Sequence, residues 1–378
     1  MRVLFSGGGT AGHINPALAA AGYLKMKQPD AEILFVGNKG GMEERLVPPA
    51  GYEIKTIHIS GFQRKITPAN IVRNIQTVNK LVTSTLESKK IIKEFKPDIC
   101  VGTGGYVCGP VLREAAKLGI PCVVHESNAY PGVTVKMLAK SVKTIMIAVE
   151  DARKHLPEGV NVVVTGNPVR PEILAADREA ARKKLGLDER PMVLSFGGSL
   201  GAGALNNAMI TVLKDSAEKG TVQHIHGYGT RNTEYPEILK EAGFDVSAYP
   251  QIRVLEYINN MADCLAAADV VISRSGAITL TEIEAMGKGS ILIPSPNVAE
   301  NHQYHNAMAL VNRGAAEIIE EKDLTGEKLL EELNKILADP ETIARYGKNA
   351  KEMSIPDANE RIYQEILKAA GMSDLSEE

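Results

Sequence analysis

Cysteine is scarce in this chain of 378 residues, and the four present, Cys100, Cys108, Cys122 and Cys264, form no C-x-x-C pair and have no histidine at a zinc-ligand spacing. A disulfide scaffold and a zinc module are thereby excluded, and reduced thiols in a cytosolic setting are the expectation. Long apolar runs are missing too, since nothing approaches the roughly 18 residues that a membrane-spanning helix needs. The residues before the first glycines hold one arginine and a few apolar positions, short of the apolar core of a secretory leader. Neither secretion nor a membrane span is expected. A strong excess of one charge is also lacking. A formal charge of -3, with 24% charged and 44% hydrophobic residues, is ordinary globular composition rather than that of a disordered or nucleic-acid-coating chain, and no nucleic-acid partner is expected.

What is present is length and rhythm. The chain is too long for a typical single core of about 100 to 200 residues, so two domains are favoured. Short apolar runs bounded by Gly or Pro alternate with segments of helical period: "VLFSG" then "NPALAAAGYLKM", "DICVGTGG" then "PVLREAAKLG". That alternation predicts an α/β protein with parallel sheets buried on both faces. After "TGNPVR" the pattern restarts with "PMVLSFGGSLGAGALNNAMITVL", so Gly197 repeats the place of Gly7. The reading is two doubly wound domains, 1–165 and 166–355, with the boundary among Thr165 to Arg170. A helix over about 356–371, striped by Ile362, Ile366, Leu367 and Ala370, is expected to pack back on the first. Ligands of such sheets sit beyond the carboxyl ends of the strands, so two facing domains would enclose one central cleft.

Three glycine turns stand at strand ends: "GGGTAGH", "GTGGYVCGP" and "GGSLGAG". Any one of them can be a tight turn and nothing more. Together they favour a ligand, because glycine lets the backbone approach closely and a helix amino terminus aims N–H groups at phosphate. Gly7, Gly9 and Gly12 satisfy the G-x-G-x-x-G of a dinucleotide site, but the second strand, "EILFVGNKG", ends without the acid that would bind the nicotinamide ribose. Further on, Thr279 and Glu282 have the spacing of a capping box for a helix starting near Thr279. The alternative for Glu282 is a ribose diol, and one conformation cannot serve both.

Seven segments in order, "GGGTAGHINPALA", "GTGGYVCGP", "HESNAYPG", "TGNPVR", "GGSLGA", "SRSGAITLTEI" and "ENHQYHNA", resemble the MurG family of bacterial glycosyltransferases, from Val3 to about Asn306. The resemblance implies a GT-B fold of two Rossmann-like domains, the first for the acceptor and the second for the donor. The implied reaction moves N-acetylglucosamine from UDP-GlcNAc to the 4-hydroxyl of the muramoyl sugar of undecaprenyl-linked lipid I, with inversion, giving lipid II and UDP. By motif, Arg170 and Ser199 would contact the uridine diphosphate, with the backbone of Ala277, Ile278 and Thr279 near the phosphates. Glu282 would take the ribose, the main chain at Ile258 the uracil edge, and Gln303 and Asn128 the sugar hydroxyls. Thr10, Ala11 and Gly12 would approach the donor sugar and the acceptor pyrophosphate. Ala11, Ser127, Leu200 and Gly289 depart from the common pattern; Ala11 and Leu200 bear on phosphate contacts, not on the reaction class.

The chemistry needs a stabiliser for the departing UDP and a base for the incoming hydroxyl. Helix amino termini and Arg170 supply the first, and with no D-x-D pair in these motifs neither a metal nor a cofactor is expected. His13 is the first candidate base, the alternative being a helix cap or a phosphate contact. Glu126 is the second, unless it is a structural carboxylate beside Asn128. A lipid-linked acceptor also implies work at the cytoplasmic face of the membrane, among other cell-wall synthesis proteins. The stretch from Gly61 to Lys96 carries eight Lys or Arg against Glu87 and Glu94, a local balance of +6, beside Ile71, Ile75, Val78 and Val82 at near-helical spacing. Those apolar residues read either as a core-facing stripe or, with the cations, as a peripheral anchor to an anionic membrane surface. Competing activities are a UDP-sugar epimerase, a nicotinamide-dependent oxidoreductase, and a non-catalytic nucleotide-sugar-binding subunit.

Overall fold

The structure, a computed structural model, describes residues 1–60 and 68–372, with the backbone alone over 68–79. Arg64 and Lys65, and the side chains of Ile71, Arg73, Ile75 and Val78, therefore lie outside the described residues, as does the acidic tail. The chain divides into two compact units, Met1–Pro168 with Asp357–Glu378, and Val169–Pro356.

The first unit is built on strands β1 (Arg2–Ser6), β2 (Glu32–Asn38), β3 (Glu53–Ile57), β4 (Ile99–Gly102), β5 (Cys122–Glu126), β6 (Thr144–Ile147) and β7 (Val162–Val164). Their order is β3-β2-β1-β4-β5-β6-β7, and each pairing is parallel. Alternate residues of a strand face opposite sides. Val3 and Phe5 join a core with the helix Ala11–Lys27 and with Ile362, Tyr363, Ile366 and Leu367 of the helix Ala358–Ala370, while Leu4 joins one with Val107, Val111 and Leu112. Both faces of the sheet are covered, which is why its strands read as unbroken apolar runs.

The second unit repeats the plan with β8 (Met192–Phe196), β9 (Gln223–Gly227), β10 (Ile252–Leu255), β11 (Val270–Ser273), β12 (Gly289–Leu292) and β13 (Ala316–Ile318), in the order β10-β9-β8-β11-β12-β13. In each sheet the chain runs outward from its first strand and then returns to that strand's other side, so the order reverses between β1 and β4 and between β8 and β11. The crevice at such a reversal is where a doubly wound sheet takes its ligand. All four turns that follow those strands carry the motifs singled out above.

Candidate functional site

In the first unit the turn after β1 is packed against the turn after β4. Gly8 N–H lies 3.4 Å from the Gly104 carbonyl, and a Cβ at Gly105, whose φ is +79°, would collide with the Gly8 carbonyl. A Cβ at Gly104 would stand 2.9 Å from the His13 ring, and one at Gly9 would stand 2.8 Å from Tyr106. These glycines are therefore required by the mutual approach of two turns, before any ligand is considered. Thr103 adds a bond of 2.7 Å from its hydroxyl to the His13 carbonyl.

The helix after this turn begins at Ala11 with Thr10 as its N-cap residue, earlier than the alanine-rich stretch suggested, and Thr10 makes no side-chain cap bond. Pro16, inside that helix, has no N–H to give to the carbonyl of Gly12. His13 Nδ1 lies 3.2 Å from the Gly8 carbonyl and 3.2 Å from Thr10 Oγ1. A carbonyl can only accept, so this network assigns the proton of a neutral ring to Nδ1 and leaves the lone pair on Nε2. That is the tautomer a general base requires.

Glu126, at the end of β5, is 4% exposed, and both of its oxygens are engaged. Oε1 accepts from the Asn128 backbone and side-chain amide, each at 2.9 Å, and Oε2 accepts from Gly132 N–H at 2.8 Å. Burial raises its pKa against the opposing pull of those bonds. Both oxygens of Glu126 thus hold the 127–132 loop in place. Neighbouring motif residues are spent on each other as well. His125 Nε2–H donates to the Gly166 carbonyl at 2.9 Å, and the Asn167 side chain donates to the Ser127 carbonyl at 3.1 Å.

In the second unit the helix Ala277–Met286 starts at the reversal, with Gly276 as its N-cap residue and no side-chain cap bond. Of the two readings of Thr279 and Glu282, the capping box is not formed. The helix begins before Thr279, and that threonine sits inside its first turn. The buried Glu282 is instead bonded to Arg170 Nε at 2.7 Å. Burial works against the charge of Arg170, but the bond and charge of Glu282, with Glu172 at 3.6 Å, outweigh it and hold the guanidinium above its ordinary value. The two residues expected on the diphosphate and on the ribose thus neutralise each other here. Ala277, Ile278 and Thr279 are partly exposed on the first turn of the same helix, with N–H groups that no earlier turn can accept.

Ser199 is exposed on the turn after β8, and its carbonyl accepts from Thr230 N–H at 3.1 Å. That turn interlocks with the one after β9, because a Cβ at Gly201 would collide with the Tyr228 carbonyl and one at Gly229 with the Gly201 backbone. Ile258 is buried after β10, close enough that a Cβ at Gly227 would lie 3.0 Å from it. The carbonyl oxygen of Gln303 accepts from Ser295 N–H at 2.9 Å, which turns its amide NH2 into the group available to a sugar hydroxyl. Ser199 and Ile258 therefore border β8 and β9, while Arg170, Glu282 and the helix turn gather beside β11. Glu43, Thr103 and Tyr106, all at the first turn, escaped the sequence reading. The crowding of glycines around "GNKGGMEE" was the one signal that could have pointed to Glu43.

The model of the glycosyltransferase family 28 N-terminal domain matches residues 3–147, and that of the glycosyltransferase family 28 C-terminal domain matches residues 192–362. The UDP-N-acetylglucosamine–N-acetylmuramyl-(pentapeptide) pyrophosphoryl-undecaprenol N-acetylglucosamine transferase of Acetivibrio thermocellus is 47% identical over 369 residues, covering 97% of this chain and 98% of its own. The crystal structure of Acinetobacter baumannii MurG superposes with a TM-score of 0.78 at 30% identity, covering 97% of this chain and 99% of that one. A UDP-GlcNAc 2-epimerase from Neisseria meningitidis reaches a TM-score of 0.66, covering 97% of this chain and 100% of its own, but at 14% identity it shares the fold alone.

Proposed function

The chain belongs to glycosyltransferase family 28, and from that membership we infer that it transfers N-acetylglucosamine from UDP-GlcNAc to the pyrophosphoryl-undecaprenol-linked N-acetylmuramyl-pentapeptide of peptidoglycan synthesis. The observation that carries this reading is similarity running through both domains of one chain to a relative of that activity. The UDP-sugar epimerase reading rests on fold alone.

The transfer is a displacement at the anomeric carbon of the donor sugar. His13 Nε2 takes the proton of the muramoyl 4-hydroxyl as that oxygen bonds to the anomeric carbon. The bond from that carbon to the β-phosphate oxygen breaks, and its electron pair leaves with UDP. The configuration inverts. Charge gathering on UDP is met by Arg170 and by the backbone N–H groups of Ala277, Ile278 and Thr279. Arg170 exchanges its Glu282 partner for the diphosphate, and Glu282, so released, accepts from the ribose hydroxyls. Ser199 and the main chain at Ile258 hold the rest of the nucleotide, and Gln303 and Asn128 the sugar. Thr10, Ala11 and Gly12 border the acceptor pyrophosphate.

The acceptor's lipid tail calls for a membrane surface, and the helix Pro68–Phe95 offers one. Its described part buries Ser84, Ser88 and Ile92 on one face, while Val82 at 62% exposure and Leu86 at 65% stand out with the exposed Lys89, Lys90 and Lys93. Val82 faces outward, while the side chains of Ile71, Ile75 and Val78 lie outside the described residues. Among the described residues no helix is long and apolar enough to cross a membrane. Peripheral docking at the cytoplasmic face is the arrangement this supports, each cation contributing about 1 kcal/mol near anionic lipid. Sedimentation with anionic vesicles should fall on reversing Lys89, Lys90 and Lys93 to Glu, and unchanged sedimentation would count against the docking face. The reaction is tested by incubating the protein with labelled UDP-GlcNAc and a lipid-linked acceptor analogue. Label should enter the lipid fraction; donor consumed without lipid label would favour the epimerase.

A further inference from the structure

We propose that Glu43 is a positioning residue for the acceptor, holding the first glycine turn in its working shape from beneath. Gly9 N–H donates to Glu43 Oε1 at 2.9 Å, across 34 residues of sequence, so the N–H at the middle of the turn points into the protein. Gly9 has φ +86°, a conformation that only glycine adopts without strain, and it is this conformation that turns the N–H toward the carboxylate. The carboxylate sits in a pocket cut to fit. Glu43 is 1% exposed, a Cβ at Gly8 would collide with Oε1, one at Gly41 would collide with Oε2, and one at Gly37 would stand 2.8 Å from the Glu43 Cβ.

Burying a carboxylate is costly unless hydrogen bonds repay it, and here Oε2 is buried with no hydrogen-bond partner among the described residues. A residue kept for stability alone would be better served by an apolar side chain in that pocket. What the carboxylate achieves is local. It fixes Gly9, and the turn it fixes runs directly into Thr10, Ala11, Gly12 and His13. The Gly8 carbonyl that sets the His13 tautomer belongs to the same peptide group whose N–H Glu43 holds. Burial, with the charge of Glu43 added to it, raises the pKa of the Tyr106 phenol on the β4 turn.

This inference rests on the reading that the first turn serves the acceptor. Steady-state kinetics on the full chain, with UDP-GlcNAc and a lipid-linked acceptor analogue, test it. Glu43→Ala should lower kcat/KM for the acceptor by about thirtyfold, the scale of losing one hydrogen bond to a charged group. UDP-GlcNAc affinity, measured by calorimetry, should stay within about twofold, which a general loss of structure would not allow. Glu43→Gln keeps an oxygen for Gly9 and should recover to within about fivefold of the wild type. If Glu43→Ala does not fold, Glu43→Asp is judged by the same criteria, since its shorter side chain keeps the charge but withdraws the acceptor. Acceptor kcat/KM within threefold of wild type, a parallel loss of donor affinity, or a Gln variant as poor as Ala overturns the proposal. His13→Ala separates the two levels. If it is crippled while the Glu43 variants are normal, only the role of Glu43 fails; if both are normal, the acceptor reading of the turn fails.

Discussion

The two sheets share one strand order through six strands, yet they tie their first glycine turn to different neighbours. In the first unit the turn after β1 is locked to the turn after β4, Gly8 against Gly105; in the second the turn after β8 is locked to the turn after β9, Gly201 against Gly229. Locking across the reversal point brings His13, Thr103 and Tyr106 around one turn, a place where a proton can be accepted. Locking away from it leaves the reversal point of the second unit to the amino terminus of the helix Ala277–Met286 and to the Arg170–Glu282 pair, a place where negative charge can be held. On the proposed reading, the first unit carries the base and the second the anion site.

The sharpest way to break this division is His13→Ala. A general base is worth about a hundredfold or more, so kcat should fall by at least that much while the KM for UDP-GlcNAc stays near the wild-type value. Turnover within threefold of wild type would remove proton transfer from the first unit. On the donor side, Glu282→Gln should do the reverse. Loss of a charged acceptor for the ribose costs about 1.5–3 kcal/mol, roughly a 10- to 150-fold rise in the KM for UDP-GlcNAc, with a smaller change in kcat. A fall in kcat at unchanged KM would instead assign Glu282 to the transition state.

The glycines sharpen the contrast in stability rather than in rate. Gly198 has φ +89° and open space where a Cβ would go, so Gly198→Ala should cost only the left-handed strain, about 1–2 kcal/mol by urea denaturation. Gly105→Ala adds a backbone collision with Gly8 to the same strain and should cost clearly more. Equal costs would mean that the β1 and β4 turns move apart freely, and the interlock would lose its meaning.

How much of this was legible beforehand follows from what each feature depends on. Strand and helix alternation depends on local period, so the doubly wound order could be read from "VLFSG" and "DICVGTGG". Membership of the family was carried by seven ordered motifs, which name residues but not their partners. Partnership is tertiary. Nothing local in "HESNAYPG" says that Glu126 will be spent on Asn128 and Gly132, and Thr279 with Glu282 has the spacing of a capping box although the helix starts at Ala277 and the carboxylate is drawn to Arg170. For Glu43 the sequence offered only the glycines around it and not its partner, since its bond to Gly9 joins the turn after β1 to the residues after β2.

Acid separates the units as well. In β8 and β9, Ser195 Oγ lies 3.0 Å from His224 Nε2 and 2.8 Å from His226 Nδ1, both rings fully buried. Burial pushes both down to about 3, helped at His224 by His226 and opposed at His226 by the Ser195 backbone, whereas the first unit has His125 held down to about 4. Each folded value lies below the ordinary one near 6.5, so above neutrality both states are unprotonated and nothing is gained or lost. As pH falls below about 6.5 the unfolded chain takes up protons that the folded chain refuses, and stability declines toward pH 3 by up to about 1.4 kcal/mol per pH unit for each ring. Glu284, pushed up by burial to about 8, has the opposite sign in the second unit, because its folded form takes up a proton first as pH falls. Comparing His226→Gln with the wild type cancels that contribution. Hydrogen exchange read on peptides of the second unit should show the variant losing about 1.4 kcal/mol less than the wild type for each pH unit between 6 and 4. Any constant cost of the substitution leaves that slope untouched, so equal slopes would mean that the ring can be protonated without unfolding, and the buried serine–histidine cluster would no longer distinguish the two sheets.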